Sequence, residues 1–390
     1  MKELNALTRT FSESVIRMMT RICNQAGGIN LAQGFPDWDT PEEIKEAAVR
    51  ALRQGYNQYA ITWGSPSLRQ AIARKVEDYN RYPVDPETEV TVCCGSTECM
   101  LSTMKAIINP GDEVVVFEPF YENYGPDALL SGATPRYVTL QPPDWRFDPE
   151  KLAAAFNQKT KAVILNSPNN PSGKVFSRGE LEQIAELCRR WDAFCICDDI
   201  YEHILYDGAE HIAMASLEGM KERTITINSV SKTYSATGWR VGWAIAAPEV
   251  TDAIRKVHDF VTVGAAAPLQ EAAAFALGLP DDYYRELQAR YLEGRDYLYG
   301  VLEELGFNPS LPRGAYYIIT EPVEIMERLG ADDDFTLARR LIEVAGVATV
   351  PGSSFYADPA KGRRQVRFCF CKKPETLEQA AQGLRRLQKL

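Results

Sequence analysis

Residues 162–197 read AVILNSPNNPSGKVFSRGELEQIAELCRRWDAFCIC. Both ends of this stretch are short apolar runs with the composition of buried strands. Between them, residues 181–191 place apolar side chains at helical spacing, after a turn-rich segment of Ser, Pro, Asn and Gly. The stretch therefore predicts one strand–helix–strand unit.

Similar apolar runs occur on both sides of this unit, at 113–117, 224–227 and 243–246. Helix-like or turn-rich stretches separate most of them. This alternation favours an α/β fold, with a mostly parallel sheet flanked by helices.

The pattern changes after Pro280. A long charged helix is predicted over 283–305, and the helices and strands that follow no longer alternate regularly. We expect a smaller α+β domain here, joined by the N-terminal segment. The predicted division is an N-terminal part of the small domain at 1–45, a large domain at 46–280 and the C-terminal part of the small domain at 281–390.

Charge and hydropathy argue against two classes of partner. The chain has 390 residues, a net charge of −10 and a pI near 5.1, which disfavours broad binding to nucleic acid or to anionic membranes. No segment approaches the apolar length of a membrane span, and residues 1–19 lack the continuous apolar core of a secretory signal. The sequence predicts a cytoplasmic protein.

The cysteines and histidines do not form a metal-binding pattern. Nine cysteines are spread thinly along the chain, and His203, His211 and His258 are scattered. The C-x-C pairs at 195–197 and 369–371 lie in apolar runs, so we expect buried thiols in a reducing compartment. No metal site is predicted.

A candidate reactive group is Lys232, in the segment SVSKTYSATGWRVGW at 229–243. Most lysines are solvated surface groups. Apolar runs on both sides place this one near the end of a strand, where α/β folds bind ligands. A partly desolvated lysine loses its proton more easily, and the neutral amine can form a Schiff base. Ser229 and Arg240 offer a hydroxyl and a planar guanidinium that suit a phosphate.

A second candidate anion site is the segment Cys94-Gly-Ser-Thr-Glu98. Ser96 and Thr97 follow the predicted end of a strand and begin a helix, whose first N–H groups attract anions. This loop alone is a weak signal, since the same residues commonly cap helices. The pattern explains no role for Glu98.

Three motifs follow one another along the chain: NSPNNPSG at 166–173, DDIY at 198–201 and SxSKxxxxxGWRVG around Lys232. In this order they resemble the fold-type I pyridoxal-phosphate aminotransferases of class I/II. LAQGFPD at 31–37 and VRFCF at 366–370 resemble the branch that contains kynurenine and glutamine transaminases. The resemblance extends from about residue 31 to the C-terminus, and it implies an aspartate aminotransferase-like fold with pyridoxal 5'-phosphate as cofactor.

The resemblance assigns cofactor contacts, each with a simpler alternative. Asp198 is expected beside the pyridine nitrogen, and strand alternation turns Asp199 to the other face. Asn170 and Tyr201 are expected to hydrogen-bond the ring oxygen, although Asn170 alone would be interpreted as a turn residue. Tyr121 is expected to stack on the ring, although an isolated tyrosine would be assigned to the core.

Other assignments concern the substrate and the subunits. Arg367, within the apolar run 366–370, is expected to bind the substrate carboxylate, and the alternative is a buried ion pair. Gly34 and Asn170 match positions close to that carboxylate. Tyr59 matches a tyrosine that reaches the phosphate of the neighbouring subunit, which implies a homodimer with shared active sites.

The implied reaction is a ping-pong transfer of an amino group between an L-amino acid and a 2-oxo acid, with Lys232 as catalytic acid and base. Phe35, Trp63 and Tyr121 are expected to line a largely apolar pocket for neutral or aromatic side chains, such as those of glutamine, methionine, phenylalanine or kynurenine. Several relatives place an aromatic residue on the N-terminal helix, but Ser14-Val15-Ile16 offers none. No second arginine for a side-chain carboxylate is identifiable.

Other activities are compatible with the same scaffold. Carbon–sulfur β-lyases and cyclopropane-forming synthases use it, and an aspartate- or alanine-preferring aminotransferase is a further alternative. A transcription regulator with an aminotransferase-like domain would carry a DNA-binding domain, whereas only about thirty residues precede LAQGFPD. Transamination is the favoured interpretation.

Overall fold

The computed structural model describes residues 2–9, 11 and 13–389. Within these residues the α-helices are α1 (Val15–Gln25), α2 (Glu42–Arg53), α3 (Pro66–Lys75), α4 (Ser96–Ile107), α5 (Tyr124–Leu130), α6 (Pro149–Ala155), α7 (Arg178–Trp191), α8 (Pro248–Val261), α9 (Ala267–Ala276), α10 (Asp281–Glu304), α11 (Val323–Arg328), α12 (Asp334–Arg340) and α13 (Pro374–Leu384). The strands are β1 (Ile29–Asn30), β2 (Val90–Cys93), β3 (Glu113–Glu118), β4 (Thr134–Thr139), β5 (Thr160–Asn166), β6 (Phe194–Asp198), β7 (Thr224–Ser229), β8 (Gly242–Ile245), β9 (Tyr317–Thr320), β10 (Val347–Ala348), β11 (Val350–Pro351) and β12 (Val366–Cys369).

Seven strands form the central sheet, in the order β2-β8-β7-β6-β5-β3-β4. Neighbouring strands between β7 and β4 pair in parallel, whereas β8 runs antiparallel to both β7 and β2. Helix α4 packs against β7 and β8, and α7 packs against β5 and β6. The prediction of an α/β fold with a mostly parallel sheet is confirmed.

Strand β3 shows why the sheet is made of continuous apolar runs. Val115 belongs to the core cluster that contains Leu181 of α7, whereas Val114 and Val116 belong to the cluster that contains Met104 of α4. Successive side chains point to opposite faces, and helices cover both faces. Every position of the strand is therefore buried.

The strand–helix–strand unit at 162–197 forms as predicted, as β5, α7 and β6. Helix α7 begins with a capping box between Ser177 and Glu180. Strands β5 and β6 are in parallel register, with Asn166 opposite Asp198. The last residues of these strands therefore meet at one edge of the sheet, which is where α/β folds bind ligands.

The remaining segments bring the two ends of the chain together. Strand β1 pairs in parallel with β10, with Ile29 opposite Val347, and β9, β11 and β12 form an antiparallel sheet. Helix α1 contacts both β10 and β11. This matches the small α+β domain expected from both chain ends, although its boundaries stay predictions and Met1, Thr10, Ser12 and Leu390 lie outside the described residues.

Two further features are the hydropathy of the helices and the state of the cysteines. None of the described helices has both the length and the apolar character needed to cross a membrane. All nine cysteines are free thiols, and all but the half-buried Cys94 are buried. The C-x-C cysteines are therefore core residues, as predicted.

Candidate active site

A cavity of about 170 Å³ lies at the edge of the sheet where β5, β6 and β7 end. It collects most of the residues that the sequence motifs indicated. The predicted site residues that line it are Gly34, Ser96, Thr97, Tyr121, Asn170, Asp198, Tyr201, Lys232, Arg240 and Arg367. Ser229 and Tyr59 are not part of its lining.

Lys232 is half-buried in the turn that follows β7. Its Nζ donates a hydrogen bond of 3.1 Å to the Gly34 carbonyl, and it lies 5.8 Å from the ring centre of Tyr201 and 5.7 Å from that of Tyr316. Burial, reinforced by the positive charge of Arg367, lowers the pKa of Lys232 from 10.5 to about 8. The neutral amine, which is the nucleophilic form, is therefore accessible near neutral pH.

Asp198 lines the cavity at the end of β6. Its Oδ2 accepts a hydrogen bond of 2.7 Å from the Tyr124 hydroxyl, whereas its Oδ1 is buried without a hydrogen-bond partner among the described residues. Burial raises the pKa of Asp198 to about 6, although the hydrogen bond from Tyr124 opposes this shift. One carboxylate oxygen is thus left for a donor or cation in the cavity.

Asp199 points to the other face of β6, as the strand pattern predicted, into a buried polar cluster. Its Oδ2 lies 3.4 Å from Nε2 of His211. Glu202, in the same cluster, accepts hydrogen bonds from Lys75 and Asn228. Burial raises the pKa of Asp199, and the two carboxylates raise that of His211 although burial opposes the shift. This aspartate therefore has an internal partner.

The loop before α4 and Arg240 form a cradle for an anion. Gly95 has φ +85°, and a Cβ at this position would lie 2.4 Å from the Arg240 guanidinium. A Cβ at Gly242 would lie 2.7 Å from the backbone of Gly95 and Ser96. Only glycine permits these close approaches. They bring the first N–H groups of α4, together with Ser96 and Thr97, close to the guanidinium of Arg240, and these are all donors that bind anions.

Ser229 lies behind the cavity. It is the last residue of β7 and is fully buried, and its Oγ accepts a hydrogen bond of 3.1 Å from the Ser231 N–H. Ser231 does line the cavity, and its Oγ is buried without a partner among the described residues. The hydroxyl that faces the cavity is therefore that of Ser231, and a phosphate contact by Ser229 stays a prediction.

Arg367 is fully buried. Its Nη1 donates a hydrogen bond of 2.8 Å to Asn170 Oδ1, and its Nη2 donates one of 2.6 Å to the Ala32 carbonyl. Its guanidinium lies 4.2 Å from the ring centre of Tyr317, and its Nε has no hydrogen-bond partner among the residues that the structure describes. No carboxylate of the described residues pairs with it, and a buried charge without a counter-charge is costly. A carboxylate bound in the cavity would supply that counter-charge.

Gly34 is required by a close approach to the same tyrosine. A Cβ at Gly34 would lie 2.0 Å from the hydroxyl oxygen of Tyr317. The Gly34 carbonyl accepts hydrogen bonds from Lys232 and, at 2.9 Å, from the hydroxyl of Tyr316. The hydroxyls of Tyr317 and Tyr201 lie 3.0 Å apart. The N-terminal segment is thus held against the reactive lysine.

The predicted apolar lining is only partly present. Tyr121 lines the cavity, but Phe35 is exposed and Trp63 lies under the guanidinium of Arg255, 5.1 Å from its ring centre. Phe35 and Trp63 are therefore not part of the lining of this cavity, and a contact of either residue with the substrate stays a prediction. The cavity is also lined by four polar side chains and one apolar side chain from α1 and nearby loops; they are Ser14, Arg17, Gln33 and Glu122, and Ile16.

Comparisons with known proteins agree with this geometry. The family model of the class I and II aminotransferases matches residues 26–384. A kynurenine–oxoglutarate transaminase of Dictyostelium discoideum is 36% identical over 98% of this chain and 96% of its own length, and a methionine aminotransferase of Escherichia coli is 35% identical over 96% of both. The structure of N-succinyldiaminopimelate aminotransferase from Mycobacterium tuberculosis superposes with a TM-score of 0.94 and 36% identity, over 99% of this chain and 100% of the other.

The chain belongs to the class I and II aminotransferases. Enzymes of this family depend on pyridoxal 5'-phosphate. The residues present fit that group, because the cavity holds a lysine of lowered pKa and a buried Asp198 oxygen without a partner. The cradle at Gly95, too tight for a Cβ, fits a phosphate.

Some residues of the aminotransferase cavity were not indicated by the sequence; they are Asn166, Tyr124, Ser231, Tyr317, Arg17 and Glu122. Asn166 and Ser231 stand inside the quoted motifs, beside residues with more obvious roles. Tyr124 and Tyr317 have the pattern of core aromatics, whereas Arg17 and Glu122 have that of a solvated surface. A position inside a motif was the only indication that the sequence offered for these residues, and only Asn166 and Ser231 have such a position.

The structure explains Glu98. Its carboxylate accepts hydrogen bonds from the Cys94 N–H, at 2.9 Å, and from the Ser102 hydroxyl, and it lies 3.1 Å from Nδ1 of His258. Nε2 of His258 lies 2.8 Å from the Thr62 carbonyl. Burial lowers the pKa of His258, but hydrogen-bonded and charged neighbours outweigh it and raise the value to about 10. Glu98 therefore holds the cradle loop of the aminotransferase from behind.

Cys93 lies next to this pair. The ligand atoms of Cys93, Glu98 and His258 lie within 4.8 Å of one another, which is the composition of a metal site. The carboxylate and both ring nitrogens already have hydrogen-bond partners. The cluster is satisfied by its own side chains and backbone.

Proposed function

We propose that this aminotransferase transfers an amino group between an L-amino acid with a neutral or aromatic side chain and a 2-oxo acid, in a ping-pong reaction. The observation that carries the proposal is that Lys232 and Arg367 line one cavity. Glutamine, methionine, phenylalanine and kynurenine are the proposed donors. Relatives named for kynurenine and for methionine support this range.

The proposed cofactor contacts divide the cavity into a ring site and a phosphate site. When bound, pyridoxal 5'-phosphate supplies an aldehyde for Lys232 and a ring that takes up the electron pair left at the substrate Cα. The residues proposed at the ring are Tyr121, Asn170, Asp198 and Tyr201. The residues proposed at the phosphate are Ser96, Thr97, Ser229, Arg240 and Tyr59 of a second copy, and the free hydroxyl of Ser231 adds a further donor.

The proposed chemistry of the chain rests on an acid–base group and an anchor. Lys232 Nζ would take the proton from the substrate Cα and deliver it to the C4′ carbon of the bound cofactor, and it would reverse both transfers in the second half-reaction. Its pKa of about 8 leaves enough neutral amine for this role near neutral pH. Arg367, supported by Asn170 and next to the backbone at Gly34, binds the α-carboxylate and fixes the direction of the Cα–H bond.

Spectral titration of the purified holoenzyme with single amino acids tests this proposal. Each productive donor should convert the cofactor absorbance in one half-reaction, and a 2-oxo acid should restore it. Lys232→Ala should abolish the conversion and still bind the cofactor noncovalently. Activity confined to dicarboxylic amino acids would contradict the donor range, and pyruvate release without an added 2-oxo acid would indicate a β-lyase.

We also propose a homodimer with shared active sites. Tyr59 is 89% exposed, which is unusual for a tyrosine. Other large apolar side chains are exposed on α2, in the loop between α2 and α3, on α8 and α9, and in the loop between α8 and α9; they are Leu52, Tyr56, Ile61, Phe260, Val261, Val263 and Phe275. The hydrogen bond between His258 and the Thr62 carbonyl joins these segments. We call Tyr59 and these seven side chains the apolar patch. Exposed apolar surface of this kind supports pairing of two copies.

Co-expression of two damaged variants tests the shared sites. Lys232→Ala removes the amine and keeps Tyr59, whereas Tyr59→Ala keeps the amine and removes the tyrosine. In a hybrid dimer one site combines Lys232 of one copy with Tyr59 of the other, so activity should exceed that of either variant alone. A sedimentation mass of one chain at every concentration would contradict the dimer.

We further infer a cytoplasmic location and the domain boundaries given above. Nine free cysteines support a reducing compartment. The pairing of β1 with β10 supports one small domain from 1–45 and 281–390, apart from the large domain at 46–280. Limited proteolysis should cut first in the loops that precede α2 and α10, and early cuts within the central sheet would contradict the division.

A further inference from the structure

Arg17 differs from the other charged residues of the cavity. It lies in the first turn of α1, is exposed to solvent and lines the cavity. Its backbone N–H donates to the Ser14 hydroxyl oxygen, but within the described part of the chain its guanidinium has no ion pair or hydrogen bond. The same residue borders a groove on the outer side of α1, with Thr20 and Gln33. A free cation therefore stands between solvent and the reaction site.

The other charges of the cavity have partners or proposed ligands. Arg240 faces the anion cradle, and Arg367 faces the position proposed for the α-carboxylate. Glu122, beside the start of α1, accepts a hydrogen bond from the Ser14 hydroxyl. Arg17 is thus a cation of the cavity for which neither the described residues nor the proposed cofactor and α-carboxylate supply an anion.

We propose that Arg17 determines acceptor specificity by binding the second carboxylate of a dicarboxylic 2-oxo acid. This inference rests on the proposed aminotransferase function, because it assigns the substrate class of the second half-reaction. The α-carboxylate meets Arg367 inside the cavity, and the distal carboxylate reaches the guanidinium of Arg17 at its mouth. A planar guanidinium offers two parallel donors to such a group.

The exposure of Arg17 is what allows one cavity to serve two substrates. A ping-pong enzyme binds donor and acceptor in the same place, one after the other. A neutral side chain leaves Arg17 hydrated, at little cost, whereas a fully buried arginine would lose its hydration and reject neutral donors. The distal carboxylate of the acceptor gains a partner without that penalty for the donor.

Arg17→Gln tests the proposal in the second half-reaction of the holoenzyme. With 2-oxoglutarate as the dicarboxylic probe, KM should rise about twofold to fivefold and kcat should stay within about twofold, since an ion pair at an exposed site is modest. With a straight-chain monocarboxylic 2-oxo acid of equal length, KM should not change. Arg17→Lys should recover part of the loss, because it keeps the charge and loses the bidentate geometry.

Arg21 provides a matched control on the same helix. It lies one turn beyond Arg17, pairs with Glu13 and does not line the cavity. Arg21→Gln should leave KM for both acids unchanged. An equal rise of KM in this variant would attribute the effect to the overall charge of α1.

Glu122→Gln should act in the opposite direction. The amide oxygen can still accept the hydrogen bond from Ser14, but the negative charge that repels a second carboxylate is removed. KM for 2-oxoglutarate should therefore fall about twofold to threefold, while KM for the monocarboxylic acid should not move.

The outcomes separate this inference from the proposed function. If the unmodified enzyme converts amino acids and oxo acids but Arg17→Gln changes both acceptors equally, or neither, the role of Arg17 is refuted and the aminotransferase proposal stands. If the unmodified holoenzyme converts no amino acid and no oxo acid, both proposals are refuted together. A selective loss with the dicarboxylic acid supports both.

Discussion

Asp198 and Asp199 are neighbours in sequence with opposite surroundings. Burial raises the pKa of both carboxyls. Asp199 has a free oxygen only 3.4 Å from the ring of His211. Asp198 lines the cavity, and among the described residues its free oxygen has no hydrogen-bond partner and its carboxylate forms no ion pair. Burial and a raised pKa therefore do not by themselves identify a functional carboxylate. The better indication of a functional carboxylate is a carboxylate oxygen that has no partner and belongs to a residue lining a cavity.

The largest effect should come from Asp198→Asn. Turnover should fall about a hundredfold to several thousandfold, because the substitution removes the charge proposed to pair with the cofactor's pyridine nitrogen, and breaking a buried charge pair costs roughly 3–5 kcal/mol. Single-turnover absorbance measurements give this rate directly. Asp199→Asn is the matched control and should change turnover by less than about threefold. Equal losses in the two variants would remove the distinction between the two faces of β6.

The same substitution should stabilise the cofactor-free protein at pH 8. The folded pKa of Asp198, about 6, lies above the ordinary 3.8, so ionising it in the fold costs up to about 3 kcal/mol. A raised carboxyl pKa gives relative stability at low pH, which is lost as pH rises from about 4 to 6. The gain from Asn should thus be complete above pH 6 and absent near pH 4 in urea unfolding. A gain independent of pH would contradict the raised pKa.

Asp199→Asn should act on stability with the opposite sign. Loss of the carboxylate leaves the buried ring of His211 without the nearer of the two charges that raise its pKa, at a cost of about 1–3 kcal/mol. A histidine pKa that is raised by folding adds stability below the ordinary 6.5, and this is lost as pH rises through the folded value. The destabilisation should therefore be greatest below pH 6.5 and shrink in alkali. Urea unfolding across this range measures it, and a stabilised variant would contradict the assignment of His211 as partner.

The smallest effect should come from Tyr124→Phe. The hydroxyl of Tyr124 lowers the pKa of Asp198 and so favours its ionised form. Its loss should weaken binding of pyridoxal 5'-phosphate to the apoenzyme about threefold to tenfold, and should move the pH dependence of binding upward. Equilibrium dialysis at several pH values measures both. In the double variant with Asp198→Asn the effect should disappear, and additive losses would show that Tyr124 acts elsewhere.

The fold was predictable because its strands and helices have clear periodicity, and parts of the cavity were predictable because charged residues interrupt apolar runs. Arg367 lies inside such a run and Asp198 follows one, whereas Lys232 lies in a polar segment between two of them. The choice between Ser229 and Ser231 was not predictable, since β7 ends at the first of them and alternation no longer decides direction beyond it. Arg17 lies on a helix with a polar face, and only the packing of α1 beside the cavity distinguishes it from a surface charge.

The buried pair of Glu98 and His258 extends from the cradle loop to the apolar patch. His258 lies on α8, two residues before the exposed Phe260, and it contacts Thr62, three residues after Tyr59. If two copies pair through this patch, subunit contact and loop order share one hydrogen-bonded network. Dilution that separates the subunits would then also release cofactor. The fraction of enzyme that holds pyridoxal 5'-phosphate would therefore depend on the enzyme concentration.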